Sequence, residues 1–197
     1  MKHAVTTEGF GVRLRPVRLD DAAFIVWLRN LDHAKGRIGD TVDEAAQRAW
    51  LEKYFTRHGD YYFVIETAAG IAVGAYGIYD QRGKSAESGR WVIQPEVPAA
   101  IPSAMLAFQT AFEVLALDEL RVSTVSTNQL VLSLNKKFGF RQTGLTPNAQ
   151  IINGQPVDLV HFLLDAKDWP KVREKLLPLA KLAESQVREW EQAQTRK

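Results

Sequence analysis

The sequence predicts an α/β (α+β) domain: a mixed, mostly antiparallel sheet flanked by helices, with a helical extension at its C-terminal end. Three observations predict it. Between Tyr61 and Ile93, β-branched and aromatic runs alternate with short polar turns, the pattern of an antiparallel meander. From Gly89 to Gly139 the pattern becomes strand, helix, strand, helix, which favours parallel pairing of the strands holding Trp91 and Val122. Asp168 to Lys197 is charged and amphipathic throughout.

A chain of 197 residues fits one domain, residues 1–197, with a core over about 11–169 and the extension over about 168–197. Hydrophobic residues at 46% and charged residues at 24% are ordinary for a soluble globular protein. The chain has no cysteine, which removes disulfides, thiolate metal sites and an acyl-cysteine intermediate, and no metal site is expected. A net charge of +2, with no basic run interleaved with aromatics, argues against nucleic acid as the main ligand. No window reaches the length of a membrane span and the start lacks a signal-peptide apolar core, so the expected location is cytoplasmic, away from membranes.

Each element has its own justification. Gly11 to Val17 alternates, turning Val12, Leu14 and Pro16 inward and Arg13 and Arg15 outward, as a first strand does. Asp20-Asp21 cap a helix with Phe24, Trp27 and Leu28 at helical spacing, so Trp27 reads as a core aromatic. Leu31 to Asp40 reads as loop. Thr41-x-x-Glu44 is a capping-box pattern for a second helix, striped by Ala46, Trp50 and Tyr54 and ended by Gly59. Gly74, Gly77 and Gly89 are costly in strands, which predicts a bulge or room for a bound molecule.

The helix predicted over Pro102 to Ala116 carries Met105, Phe108, Phe112 and Leu115 on one face and Ser103, Gln109, Thr110 and Glu113 on a wet face. Its first turn, fed directly by a strand, leaves N–H groups unpaired and makes an anion site. Arg121 to Thr127 reads as the next strand. Asn128 then caps a helix that stops at Gly139. Asn153-Gly154 signals a hairpin whose returning strand, Val157 to Leu164, contains His161. In the tail, Pro178 is expected to interrupt the helix, which packs either across the sheet or against a second subunit in a homodimer.

Asn128-x-x-Val131-x-x-Leu134-Asn135-x-Lys137-x-Gly139-Phe140, behind that strand, turn and helix, resembles the signature of the GNAT superfamily of acyl-CoA-dependent N-acyltransferases. The resemblance covers roughly Val12 to Trp169. It implies a GNAT fold, with a sheet splayed between two parallel strands, and an acetyl-CoA-dependent N-acetyltransferase. By resemblance, pantetheine lies between the strands ending at Ile93 and near Ser126, and N–H groups of Ala100, Ile101, Ser103 and Ala104 cradle the pyrophosphate. Asn128 would hold the pantetheine, Asn135 would sit near the sulfur, and Lys137 would lie near a phosphate. A plain helix cap, an exposed helix residue and a cation suited to the helix dipole are the alternatives for these three.

Two departures stand out: Ala100-Ile101-Pro102 replaces the usual Gly-x-Gly turn, and Asn135 stands where many members carry a tyrosine acid. An amide hydrogen-bonds but does not release a proton as an acid does.

A backbone N–H near Ile93 is the candidate for binding the thioester oxygen. Strand alternation puts Glu87 on one side with Gly89, Trp91 and Ile93, which makes it a candidate base in an apolar cleft. His161, Asp80 and the Tyr76/Tyr79 pair are further candidates, and positioning alone is another route. By resemblance Arg29, Asn30, His33 and Arg37 touch the acceptor, or they are solvated loop residues.

The Trp27-Leu-Arg-Asn30 exit with the long loop and Thr41 helix, and the closing Leu134-Asn-Lys-Lys-Phe-Gly-Phe, resemble members that acetylate amino sugars on nucleotide carriers. The closing run also resembles those that acetylate ribosomal-protein N-termini. The resemblance implies a small-molecule amine, an amino sugar on a nucleotide carrier, whose diphosphate Arg29, Lys35 and Arg37 would meet. A protein or peptide N-terminus is the second reading. A non-catalytic acyl-CoA-binding or interaction module is the third.

Overall fold

A computed structural model describes residues 2–35, 43–152 and 154–195. In chain order it contains β1 (Thr7–Gly9), β2 (Val12–Pro16), α1 (Ala22–Arg29), α2 (Glu44–Phe55), β3 (Tyr61–Thr67), β4 (Ala72–Arg82) and β5 (Ser85–Ile93). There follow α3 (Ala100–Gln109), continued by a π-helical turn over Thr110–Val114, then β6 (Glu119–Val125), α4 (Gln129–Lys137), β7 (Arg141–Ile152), β8 (Gln155–Asp165) and α5 (Trp169–Thr195). The strands form one sheet in the order β1-β2-β3-β4-β5-β6-β8-β7. Every pairing is antiparallel except that of β5 with β6.

The predicted mixed sheet is therefore present, and its parallel pair is the one expected. That pair is short. Its register runs from Ser85 opposite Glu119 to Ser88 opposite Val122 and then stops, although β5 continues to Ile93 and β6 to Val125. Past Ser88 the two strands part and leave a gap in the middle of the sheet.

Helices cover both faces. On one, α1 and α2 set Ile25, Leu28, Leu51 and Tyr54 against Tyr62, Val64, Ala75 and Val92. On the other, α3 and α5 cover Phe63, Ile65, Ile78, Leu120 and Phe162. Burying each such side chain contributes about 1.5–3 kcal/mol, so the two layers hold the sheet in register.

Several expectations are corrected. β1 was not foreseen, because a three-residue edge strand carries too little pattern to read. Trp27 is 44% exposed and stacks on Phe24, since the buried stripe of α1 is Ala22, Ile25 and Leu28. The stripe of α2 is shifted in the same way, to Gln47, Leu51 and Tyr54, and its cap is Asp43, whose side chain accepts from the Ala46 N–H; Thr41 lies outside the described residues.

Half of the face of α3 predicted to be wet is buried. Glu113 is exposed and Gln109 half-buried, but Ser103, against Trp91 of β5, and Thr110, against Thr7 of β1, are both fully buried. Thr110 Oγ1 donates to the Leu106 carbonyl at 2.7 Å and accepts from Thr7 Oγ1 at 2.7 Å, so the buried hydroxyl is satisfied. Pro178 does not interrupt α5. It is exposed, so the carbonyl it leaves unpaired faces water, while Val172, Leu176, Ala180, Ala183 and Val187 bury the opposite face.

Candidate active site

The gap between β5 and β6 opens into a cleft of about 230 Å³. Its walls come from both faces of the sheet. Tyr76, Ala104, Phe108, Asn135, Phe138 and Phe140 belong to the α3 side, whereas His33, Arg90 and Val92 belong to the α1–α2 side. The cleft thus passes through the sheet at the point where the parallel strands diverge.

A bulge in β5 shapes this wall. Ala75 pairs with Val92 and Gly77 with Gly89, so Arg90 and Trp91 together face the single residue Tyr76. Arg90 takes φ +52°, unusual for a residue with a side chain. The extra residue reverses the alternation. Glu87 therefore stays on the α1–α2 face with Gly89, while Trp91 turns to the α3 face, where its Nε1 donates to Ser103 Oγ at 3.2 Å and its ring meets Phe138. The predicted grouping of Glu87 with Trp91 and Ile93 fails for this reason. Nor does Glu87 sit in an apolar cleft: its Oε2 is 3.9 Å from Arg121 Nη1 and it does not line the cavity.

Ile93 keeps the geometry expected of it. Gln94 N–H bonds the Val73 carbonyl at 2.7 Å, and bonded and non-bonded pairs alternate along an antiparallel ladder. The N–H and C=O of Ile93, opposite Gly74, consequently point away from β4 and into the gap. His33 Nε2 donates to that carbonyl at 3.1 Å.

On the opposite wall, Asn128 caps α4, its Oδ1 accepting from the Val131 N–H at 3.4 Å. Asn135, two turns on, is buried, lines the cleft and donates from Nδ2 to Thr124 Oγ1 at 3.1 Å. Both asparagines line the cleft, so the helix face that their spacing defines is the one turned toward it. Lys137 does not; it is exposed on the last turn. Tyr76 is buried with its hydroxyl on Ser88 Oγ, and burial pushes its phenol up, so it stays protonated.

The helix start differs from prediction. α3 begins at Ala100, which makes Pro102 its third residue, still within the turn whose N–H groups have no helical partner. Ser103 N–H bonds the Ala99 carbonyl at 2.9 Å, and the helical ladder claims that of Ala104 likewise. Among the described residues, the backbone N–H groups left at this terminus are those of Ala99, Ala100 and Ile101. Ser103 and Ala104 are thus withdrawn as anion donors; Ala104 instead lines the cleft with its methyl.

Of the acceptor candidates, His33 lines the cleft. Arg29 Nη1 donates to Gln47 Oε1 at 3.1 Å, tying α1 to α2. Asn30 turns back on its own helix, its Nδ2 donating to the Val26 carbonyl at 2.9 Å. Arg37 lies outside the described residues. His161 bridges three strands: Nδ1 meets Ser123 Oγ at 3.1 Å and Nε2 meets Thr146 Oγ1 at 2.8 Å. Ser123 lines the cleft, so the histidine reaches it through that hydroxyl.

Sequence reasoning missed Arg90 and Asp60. Arg90 Nη1 donates to Asp60 Oδ1 at 2.7 Å and Nη2 to Oδ2 at 3.2 Å, with Asp60 buried just before β3. The guanidinium lies over the Tyr79 ring at 4.2 Å, with Trp50 at 5.1 Å and Tyr62 at 5.4 Å. A Cβ on Gly89 would come within 2.6 Å of Tyr79 Oη and one on Gly77 within 3.2 Å of Arg90 Cδ. The room those glycines leave is filled by the protein's own side chains. The only sequence signal was the pair of glycines itself.

A mixed sheet that parts between parallel strands beside a helix N-terminus defines an acyltransferase-type fold. The acetyltransferase (GNAT) domain family matches residues 12–141, and the chain belongs to that family, whose enzymes move acetyl groups from acetyl-CoA to amines. No curated protein matches it in sequence. In structure it is similar to a GCN5-related N-acetyltransferase from Brucella melitensis, with TM-score 0.76 and 20% identity over 90% of this chain and 86% of that one. It is also similar to FdhC, a nucleotide-linked sugar GNAT, with TM-score 0.72 and 22% identity over 91% of this chain and 98% of that one. A variant of the spermidine N-acetyltransferase SpeG from Vibrio cholerae matches with TM-score 0.72 and 18% identity over 82% of this chain and 97% of that one. At such identities these likenesses bear on the fold alone. No helix among the described residues is long and apolar enough to cross a membrane.

Proposed function

We propose that the protein transfers an acetyl group from acetyl-CoA to the primary amine of an amino sugar on a nucleotide carrier, by direct attack and without an acyl-enzyme. The observation that carries this reading is the cleft passing through the sheet, which lets a donor and an acceptor meet from opposite faces. Holding the two together supplies much of such a reaction's acceleration.

In this reading the free N–H groups of Ala100 and Ile101, at the positive end of α3, hold the pyrophosphate. Asn128 and Asn135 hold the pantetheine arm along α4, and aromatic side chains from Phe108, Phe138 and Phe140 keep water from it. Acetyl-CoA supplies an acyl group already activated as a thioester. The Ile93 N–H, turned into the gap, donates to its carbonyl oxygen, where negative charge develops. On the other face, Glu87, which lies outside the cavity, takes the proton of the incoming ammonium through water, with His161 acting through Ser123 as the second candidate.

Charge favours the sugar over a polyamine. Among the described residues, Asp60 and Glu87, two acids on the acceptor face, are each met by an arginine, Arg90 and Arg121, and so offer a polycation carboxylates that are already paired. Arg29, Lys35 and Arg37, close together in the sequence, are charges that suit a diphosphate. A structural neighbour described as a nucleotide-linked sugar GNAT agrees with this choice. The whole chain, core and tail helix, acts as one cytoplasmic domain in this proposal.

The test is release of free thiol from acetyl-CoA against amino-sugar nucleotides, N-terminal peptides and polyamines. Turnover confined to the sugar nucleotides is expected. Turnover confined to peptides or polyamines would replace the acceptor, and tight acetyl-CoA binding with no turnover would replace the enzyme reading by that of a binding module.

A further inference from the structure

We propose that the Asp60–Arg90 pair is a positioning device: it pins the β5 bulge in its left-handed conformation and so aims the Ile93 N–H and Trp91 into the cleft. The inference rests on the acetyl-transfer reading above, because it assigns those two residues a task there.

A left-handed residue with a side chain is strained, and it persists only where its surroundings over-determine it. Arg90 is over-determined by independent contacts. Its guanidinium is held by both oxygens of a buried carboxylate, a geometry that fixes direction as well as distance. It is sandwiched against the Tyr79 ring inside a cage completed by Trp50 and Tyr62. Its stem passes over Gly77, where any Cβ would crowd it. All of these partners lie on the α1–α2 face, so together they pull residue 90 to that face.

The consequence falls on the next residues. With Gly89 and Arg90 both directed to the α1–α2 face, Trp91 must turn to the other, where it reaches Ser103. The ladder resumes at Val92 opposite Ala75, which turns the N–H of Ile93 away from β4. A regular strand through residue 90 would shift this register by one and invert every orientation after it. Asp60 and Arg90 touch neither proposed pantetheine residue, Asn128 or Asn135; they act through the backbone. Arg57, 3.8 Å from Asp60, cannot replace Arg90, because it lies outside the bulge.

Glycine and alanine separate this role from a direct one. Both delete the guanidinium, but only glycine adopts positive φ without strain. Arg90→Ala should lower kcat about ten-fold or more with the KM for acetyl-CoA nearly constant, and Arg90→Gly should recover most of that loss. Asp60→Ala should impair the enzyme when Arg90 is present, and add less than about two-fold in the Arg90→Gly background. Equal losses for Arg90→Ala and Arg90→Gly would overturn the proposal and make Arg90 a substrate contact; no loss in either would overturn it as well.

Crystal structures of the two variants give a readout independent of turnover. The bulge and the φ of residue 90 should survive in Arg90→Gly and relax in Arg90→Ala, and a bulge unchanged in Arg90→Ala would sink the clamp. If the unaltered protein acetylates no amine, the functional reading falls while these structures still decide the clamp.

Discussion

The two faces of the sheet beside the gap are built from different chemistry. On the α3 face the cleft is aromatic, with Phe108, Phe138 and Phe140 in edge contacts and Asn135 as a buried amide among them. On the α1–α2 face it is polar and partly ionic: Arg90 lines it with Asp60 behind, Ser123 lines it with His161 behind, and the Arg121–Glu87 pair lies outside the cavity on the same face. The difference teaches how one opening serves two ligands. An apolar wall with one amide suits a long neutral arm that is the same in every turnover. A wall of pre-paired charges recognises by what it excludes, since a ligand must offer more than a bare charge to displace a partner already in place.

Breaking the aromatic side should have the largest effect. Phe138 is buried and touches both Trp91 and Phe108, so Phe138→Ala should lose about 3–5 kcal/mol in urea unfolding and weaken acetyl-CoA binding in calorimetry. Glu87→Gln tests the ionic side: kcat should fall about 100-fold, with acetyl-CoA affinity unchanged by calorimetry. A small effect there and a large one in His161→Gln would move the base to the histidine. Asn135→Leu strands the Thr124 hydroxyl without its donor and should cost about 1–3 kcal/mol of stability together with acetyl-CoA affinity. If binding is unaltered, the α4 wall is not where the arm lies.

A pH experiment separates the cleft from the rest of the fold. Burial against Tyr61 and Phe63 pushes the His3 imidazole down from 6.5 to about 4. A group whose folded pKa is depressed keeps the folded state intact above the unfolded value, so stability should fall as pH drops from 6.5 toward 4. His3 is only partly buried, so solvent screening makes the loss modest. His3→Gln should flatten that slope in urea midpoints while leaving the pH profile of turnover unchanged. A profile that moves with His3 would mean that the N-terminal segment and the cleft are coupled.

Much of the fold was legible because periodicity reports burial. The meander, the parallel pair and the α4 helix each announced themselves, and the seven-residue spacing of Asn128 and Asn135 correctly placed both on one wall. What escaped reading depends on pairs distant in the chain. Nothing local marks Arg90 as left-handed, since its conformation is held by a carboxylate 30 residues away. The faces of Glu87 and Trp91 could not be assigned without that bulge. Trp27 and Ser103 were misplaced for a related reason: helical spacing shows which residues share a face, but not which face meets a neighbour. The start of α3 was read from Pro102 because proline favours the first turn, a preference that does not choose between its first and third positions.

Pro178 in the middle of α5 bears on the order of folding. A proline in a helix interior costs about 3 kcal/mol, more than local propensity can offset in a segment of this length. The helix can therefore be continuous only after α3 and the sheet present the surface that receives Leu176, Ala180 and Val187. The tail is thus a late arrival, completed by docking and not by its own nucleation. An excised peptide spanning Trp169–Thr195 should be mostly coil by circular dichroism, and substitutions along its buried face should speed unfolding while leaving the refolding rate nearly constant.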